Sequence, residues 1–158
     1  MGRIGGVSER VFNLLELELE PYEEGPEGRR FSARQLGKAA GGDRTGMSVY
    51  ELAPGNAAWP YHFELADEEW MFVIDGEVVL RTPDGERPMR AGDVACFPIG
   101  AAGAHEVRND GDAVARFALT SARLGPGGGA VYPDSGKVLV YAPGFRHRGL
   151  LGEEVEYW

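Results

Sequence analysis

The sequence is poor in cysteine and in histidine, with one cysteine and three histidines among 158 residues. A lone cysteine excludes an internal disulfide, and the apolar run around Cys96 predicts a buried, structural thiol. Because nothing in this composition indicates an oxidising compartment, we expect a cytoplasmic protein.

Long apolar runs and an excess of positive charge are also missing. No stretch approaches the roughly 18 apolar residues of a membrane span, and the start Met-Gly-Arg-Ile-Gly-Gly lacks the apolar core of a signal peptide. The net charge of −9 would repel a nucleic-acid backbone. We therefore expect neither a membrane nor nucleic acid as partner, and the length fits one domain.

Glycine and proline, by contrast, are frequent, with 24 and 10 residues spread along the chain. They divide it into segments of about five to eight residues, a length typical of strands, and Asp-Gly pairs separate several of them as turns. Few segments look helical, so the pattern predicts an all-β, antiparallel sandwich or barrel. Candidate strands lie at about 15–20, 29–36, 45–53, 59–64, 69–75, 77–82, 93–97, 105–108, 113–123, 131–132 and 138–141.

The first of these segments alternates strictly between leucine and glutamate from Leu15 to Glu20. Leucine and glutamate are also good helix formers, but a period of two favours a half-buried strand over a helix. We expect the leucines to cover the barrel or a partner subunit.

Two of the three histidines lie in segments that also carry carboxylates. His62 and Glu64 are two positions apart and would leave a strand on the same face. Glu69 begins a strand with two apolar faces, where a carboxylate needs a partner, and His105 begins another strand. Imidazoles with carboxylates suit iron, manganese, nickel, copper or zinc rather than calcium or magnesium. The candidate ligands of such a divalent transition metal are His62, Glu64, Glu69 and His105.

The third histidine, His147, stands between two arginines in a polar segment near the carboxyl end. We expect it to be solvated, with contact to a substrate anion as the alternative. No residue is assigned a catalytic role.

The two histidine segments resemble the paired motifs of the cupin superfamily, and the chain looks like a small, single-domain cupin of the conserved-barrel type. The first motif has glycine, His-x-His, glutamate and glycine; the second has glycine, Pro-x-Gly, histidine and asparagine. The positions that match, in order, are His62, Glu69 and Gly76, then Gly92, Pro98, Gly100, His105 and Asn109.

This resemblance implies a jelly-roll barrel, or double-stranded β-helix, over residues 45–123. Residues 1–44 would form an amino-terminal extension with strands that pack on the barrel or on a partner subunit, and 124–158 carboxyl-terminal strands and a tail. Related barrels commonly pair, which implies a homodimer with Leu15, Leu17, Leu19 and the Trp70/Phe72/Ile74 face as candidate contacts.

The implied function is an interior divalent-metal site that binds a small oxygenated metabolite, as in a metal-dependent oxygenase or isomerase. The alternative is a non-enzymatic binding or sensor cupin whose metal site is degenerate or empty. Glu64 separates these possibilities, because the family has histidine there. It could be a ligand, it could point away and leave a three-ligand set, or the site could bind an organic ligand without metal.

Overall fold

The computed structural model describes residues 10–22, 25–123 and 125–152. These residues are nearly all β, with two single-turn 3₁₀ helices at Ala101–Gly103 and Pro133–Ser135. The strands are β1 Glu20–Tyr22, β2 Phe31–Gln35, β3 Thr45–Leu52, β4 Phe63–Glu64, β5 Asp67–Asp75, β6 Glu77–Thr82, β7 Gly85–Arg90, β8 Val94–Phe97, β9 Glu106–Arg108, β10 Ala115–Arg123, β11 Gly128–Tyr132, β12 Lys137–Ala142 and β13 Phe145–Leu150.

The strands form three antiparallel sheets. A six-stranded sheet has the order β1-β2-β3-β10-β5-β8, a four-stranded sheet has the order β13-β12-β11-β4, and a three-stranded sheet has the order β7-β6-β9. The expected all-β, antiparallel architecture is confirmed.

The main core lies between the six-stranded and three-stranded sheets. Tyr50, Met71 and Phe117 come from the first, Leu80 and Val107 from the second, and all five are buried. Tyr50 and Phe117 are register partners on neighbouring strands and stack at 5.1 Å between ring centroids. Because side chains alternate along a strand, the positions between these residues face outward.

The prediction of a strand over 15–20 is wrong, since residues 14–16 form a turn and pairing starts at Glu20. The leucines do serve partly as expected, because Leu17 is buried against Val49 and Ala118. The backbone carbonyl groups of Leu14 and Leu15, however, accept hydrogen bonds from a side chain and not from a neighbouring strand. Arg116 donates to both carbonyl oxygens, each at 2.7 Å. An arginine fork has enough donors to replace a neighbouring strand at this point.

Three further expectations need correction. The strand predicted at 59–64 is limited to Phe63–Glu64, because the segment before it contains Pro60, which cannot donate to a ladder. Cys96 is exposed, because it lies on the outer face of the edge strand β8. Strand β13 was not anticipated, because its side chains are almost all exposed and show no apolar alternation.

None of the helices in the described parts of the chain is long and apolar enough to cross a membrane.

Candidate metal centre

Two short segments meet to bring the histidines together. His62 and His105 form an antiparallel bridge, with backbone N–O distances of 3.1 and 2.8 Å. Their rings lie 4.7 Å apart between centroids. Glu69 on β5 comes from the opposite sheet, so the three side chains converge inside the molecule.

Each imidazole is held in one orientation by a hydrogen bond to the backbone. Nδ1 of His62 lies 2.7 Å from the carbonyl oxygen of Pro60, and Nδ1 of His105 lies 2.9 Å from that of Gly103. A carbonyl oxygen can only accept, so Nδ1 donates in both rings and Nε2 keeps its lone pair. This is the arrangement of a metal-binding histidine.

Gly103 is needed to place His105. A Cβ atom at this position would collide with the carbonyl oxygen of Pro98. Only glycine therefore permits the 3₁₀ turn whose last carbonyl orients the imidazole.

The cluster has the dimensions of an ion site. One ligand atom each from His62, Glu69 and His105 lie within 4.8 Å of one another. Nε2 of His105 and Oε2 of Glu69 are 3.6 Å apart, and within the described chain neither buried atom has a hydrogen-bond partner. Two ligands at about 2.1 Å from one ion would lie about 3–4 Å apart. The donor set therefore fits a transition metal, with a two-histidine, one-carboxylate composition.

Burial disfavours charge on the carboxylates and on the imidazoles of this region. Desolvation, followed by the charges of Glu64 and Asp67, raises the pKa of Glu69 to about 8. Desolvation and Asp67 raise the pKa of Glu64 to about 7. Desolvation and His62 lower the pKa of His105 to about 4, and burial also lowers the pKa of His62. A cation would restore the charge that burial disfavours on the carboxylates.

Glu64 stands beside the trio without joining it. Its Oε1 lies 3.7 Å from Nε2 of His62, so it does not point away. It is not part of the compact group formed by His62, Glu69 and His105.

Two aromatic rings form walls for the histidines. Phe97 stacks on His105 at 3.8 Å between centroids, and Tyr132 stacks on His62 at 5.5 Å. Tyr132 was not recognised as a site residue in the sequence. The only signal was its place in a predicted strand, and the pairing of β11 with β4 brings it to His62 across a long stretch of chain.

A small cavity of about 120 Å³ reaches Glu69 from the six-stranded sheet. A larger, open cavity of about 830 Å³ shares Asp43 and Thr45 with it and extends to Asp67 and Tyr141. Polar side chains lining the small cavity are Gln35, Lys38, Asp43, Thr45, Ser48, Tyr50, Glu69 and Ser121. This lining suits a small ligand rich in oxygen.

Glu106 follows His105 in sequence, and its side chain projects from the opposite face of the strand. It is buried and accepts a 2.6 Å hydrogen bond from Arg29, while Arg81 lies 3.7 Å from its second oxygen. Arg81 is in turn bidentate to Asp134 at 2.6 and 2.9 Å. This network links the segment before β2, the strands β6 and β9, and the segment after β11.

Two motif residues have structural roles. Asn109 is buried, donates to the carbonyl oxygens of Leu52 and Ala113, and accepts from the Gly111 amide. Gly76 has φ 74°, and a Cβ atom there would approach the Val114 carbonyl oxygen to 2.9 Å. Neither residue contributes a ligand atom to the cluster.

The fold and the cluster agree with the comparison to known families. The model of the cupin domain matches residues 48–121, and similar solved structures are cupins. Residues 48–121 form a cupin domain. No curated protein matches this cupin.

Two solved cupin structures resemble it over most of its length. A sugar phosphate isomerase of the cupin superfamily from Silicibacter pomeroyi is 27% identical, with a TM-score of 0.77, over 89% of this chain and 92% of that chain. A proposed sugar phosphate isomerase from Acidithiobacillus ferrooxidans is 25% identical, with a TM-score of 0.76, over 85% of this chain and 86% of that chain. The polyketide cyclase RemF from Streptomyces resistomycificus shares the fold. It is 22% identical, with a TM-score of 0.58, over 77% of this chain and 79% of that chain.

Proposed function

We propose that this cupin is a metal-dependent enzyme that isomerises a small hydroxy-carbonyl compound, with His62, Glu69 and His105 as metal ligands. The observation that carries the proposal is that two buried atoms, His105 Nε2 and Glu69 Oε2, have no hydrogen-bond partner among the residues that the structure describes. Leaving such atoms without a partner is costly, and a cation is the partner that satisfies both. The similar structures named sugar phosphate isomerases support isomerisation over oxygenation.

The bound metal would act as a Lewis acid that polarises the substrate carbonyl. The chain supplies the rest of the chemistry. Isomerisation removes a proton from the carbon next to the carbonyl and returns one to the neighbouring carbon, while a hydroxyl proton moves to the other oxygen. No electron acceptor is needed.

Glu64 is the group that we assign to this proton transfer. Its Oε1 lies 3.7 Å from Nε2 of the metal ligand His62, and a carboxylate at that place can accept a proton from the substrate and give it back. The walls of Phe97 and Tyr132 would limit water at the same place. A fourth ligand at Glu64, expected from the sequence, is the competing assignment.

Metal analysis and hydrogen exchange test the proposal together. Protein purified without added metal is analysed for its elements, washed with chelator and reloaded with manganese, iron(II), nickel, zinc or copper. Proton NMR in D₂O then follows deuterium entry at the carbon next to the carbonyl of a panel of aldose and ketose phosphates. We expect exchange that needs metal and Glu64.

Two results would overturn it. Protein that takes up none of these metals would favour the non-enzymatic binding cupin, and metal-loaded protein without exchange on any panel member would exclude isomerisation of this substrate class.

We also propose a homodimer in the cytoplasm. Trp70, Phe72 and Val94 are 41%, 39% and 55% exposed on the outer face of β5 and β8, and a second copy would cover them. Leu17, by contrast, is already buried within its own chain. Sedimentation should give a dimer that Trp70→Glu dissociates; a monomeric wild type would contradict this proposal. The cytoplasmic location stays a prediction from the single cysteine.

A further inference from the structure

The four-stranded sheet carries a row of side chains that leads from the metal cluster to a pair of arginines. Directly opposed residues of antiparallel strands project from the same face. The register places Glu64 opposite Ala130, Ala130 opposite Leu139, and Leu139 opposite Arg148. Arg148 on β13 therefore shares the face that carries Glu64.

Arg146 lies on the same face of the same strand, two positions earlier. It is opposite Tyr141, and Tyr141 lines the larger cavity next to Asp67. His147, between the two arginines, projects from the other face. A substrate anion on the Glu64 face would therefore contact Arg146 and Arg148, and not His147 as the sequence analysis allowed.

The electrostatic setting of these arginines is unusual for this protein. The chain has a net charge of −9, yet strands β11, β12 and β13 contain no aspartate or glutamate. Arg146 and Arg148 are exposed, and no ion pair or side-chain hydrogen bond joins either of them to another described residue. Within the described ranges, therefore, no carboxylate competes with an anion for these two guanidinium groups.

The positive charge of Arg148 affects a residue that contacts the metal cluster. Burial raises the pKa of Tyr132, the ring that stacks on His62, and Arg148 opposes that rise. Three strand spacings of about 4.8 Å separate Arg148 from Glu64, roughly 14 Å between Cα atoms. An extended arginine side chain covers about half of that distance, given bonds of about 1.5 Å. The remaining gap of roughly 7 Å suits a ligand of a few carbons.

We propose that Arg146 and Arg148 form a subsite for the anionic end of the ligand, a phosphate ester whose oxygenated other end reaches the metal cluster. This inference rests on the proposed function and specifies its substrate class as phosphorylated sugars. Guanidinium groups bind phosphate oxygens in a bidentate manner, which gives both charge and orientation. The open cavity beside Tyr141 has Asp43, Arg44 and Asp67 as its charged lining, and Arg146 adjoins it through its register partner Tyr141.

Titration calorimetry on metal-loaded protein tests the subsite. The probes are ribose 5-phosphate, glucose 6-phosphate and glycerol 3-phosphate, each compared with its unphosphorylated parent. The variants are Arg146→Ser, Arg148→Ser, the double variant and Arg148→Lys. Arg87→Ser is the matched control, because Arg87 is an exposed arginine on the separate strand β7.

We expect at least one phosphate ester to bind more than 10-fold more tightly than its parent. The double variant should abolish this preference and leave binding of the parent unchanged, Arg148→Lys should retain part of it, and Arg87→Ser should retain all of it. Thermal melting checks that each variant is folded.

No preference for any phosphate ester, or a preference that survives the double variant, would overturn the subsite and assign the arginines to protection of an edge strand. The two proposals fail separately. If the protein binds metal and the arginine variants have no effect on phosphate binding, only the subsite proposal is overturned. If the protein takes up no metal but binds phosphate esters through the arginines, only the proposal of a metal-dependent function is overturned.

Discussion

Nε2 of His105 faces Oε2 of Glu69 across 3.6 Å, and both atoms are buried without a hydrogen-bond partner in the described chain. A hydrogen bond would require about 3 Å, so the gap is too wide for the two groups to satisfy each other. They can be satisfied together by a third partner between them.

Removal of either ligand should therefore abolish metal binding. We expect Glu69→Gln and His105→Gln to lower metal affinity by more than the roughly 10- to 100-fold that loss of a supporting partner costs. Elemental analysis and metal titration measure the change. Glu77→Gln, an exposed carboxylate on β6, should bind metal like the wild type. Wild-type affinity in both ligand variants would contradict the site.

Glu64→Gln should separate proton transfer from metal binding. If Glu64 carries the proton, this variant keeps its metal and loses exchange activity by about 10²- to 10⁴-fold. Loss of the metal itself would instead make Glu64 a ligand. Glu64→His, which restores the histidine of the cupin motif, should then raise affinity for softer metals such as copper.

The stability of metal-free protein should fall as pH rises from about 6.5 to 8. The pKa of Glu69 is about 8 in the fold and 4.5 as a free group, so in this range the folded chain holds a proton that the unfolded chain has lost. The free energy of unfolding must then decrease with pH. His105, with a pKa lowered from 6.5 to about 4, acts in the opposite direction, but chiefly below about pH 7.

For Glu69 alone, the decrease from pH 6.5 to 8 corresponds to about 2 kcal/mol. Urea unfolding of chelator-treated protein at the two pH values measures it. Glu69→Gln should remove most of the decrease, while the control Glu77→Gln should keep it. Equal decreases in the two variants would show that burial of Glu69 is not its cause.

Arg29→Ala should destabilise the protein even though Arg29 is far from the metal ligands in sequence. The variant leaves buried Glu106 with only Arg81, at 3.7 Å. We expect a loss of about 1–3 kcal/mol in the free energy of unfolding, at the lower end for a buried charge because Arg29 is 31% exposed. Arg87→Ala should stay within about 0.5 kcal/mol of the wild type. Equal stability of the two variants would remove the network as a stabilising element.

The parts of the fold that could be predicted are those where one strand face is buried. Glu77–Thr82 buries alternate positions, Val78 and Leu80, and Asp67–Asp75 does the same with Met71 and Val73. Strand β13 has no buried face and therefore no signal. The Leu15–Glu20 segment has the signal of a strand, but its apolar side chains pack without backbone pairing.

For the site, residue types and short spacings predicted His62, Glu64, Glu69 and His105 as candidate ligands, and the structure brings His62, Glu69 and His105 together. Short spacings do not show which distant residues come near the site: Tyr132 stacks on His62, and Arg148 shares the face of Glu64, only through the pairing order β4-β11-β12-β13. The place of Glu64 beside the trio, rather than within it, also depends on side-chain conformation that spacing leaves open.

The backbone bridge between His62 and His105 has a kinetic consequence. The two histidines are distant in the chain, and Glu69 belongs to a different sheet, so the three ligands meet only after long-range strand pairing. Metal uptake should accordingly follow folding and not nucleate it. An ion added to the denatured chain would leave the refolding rate unchanged and would slow unfolding instead.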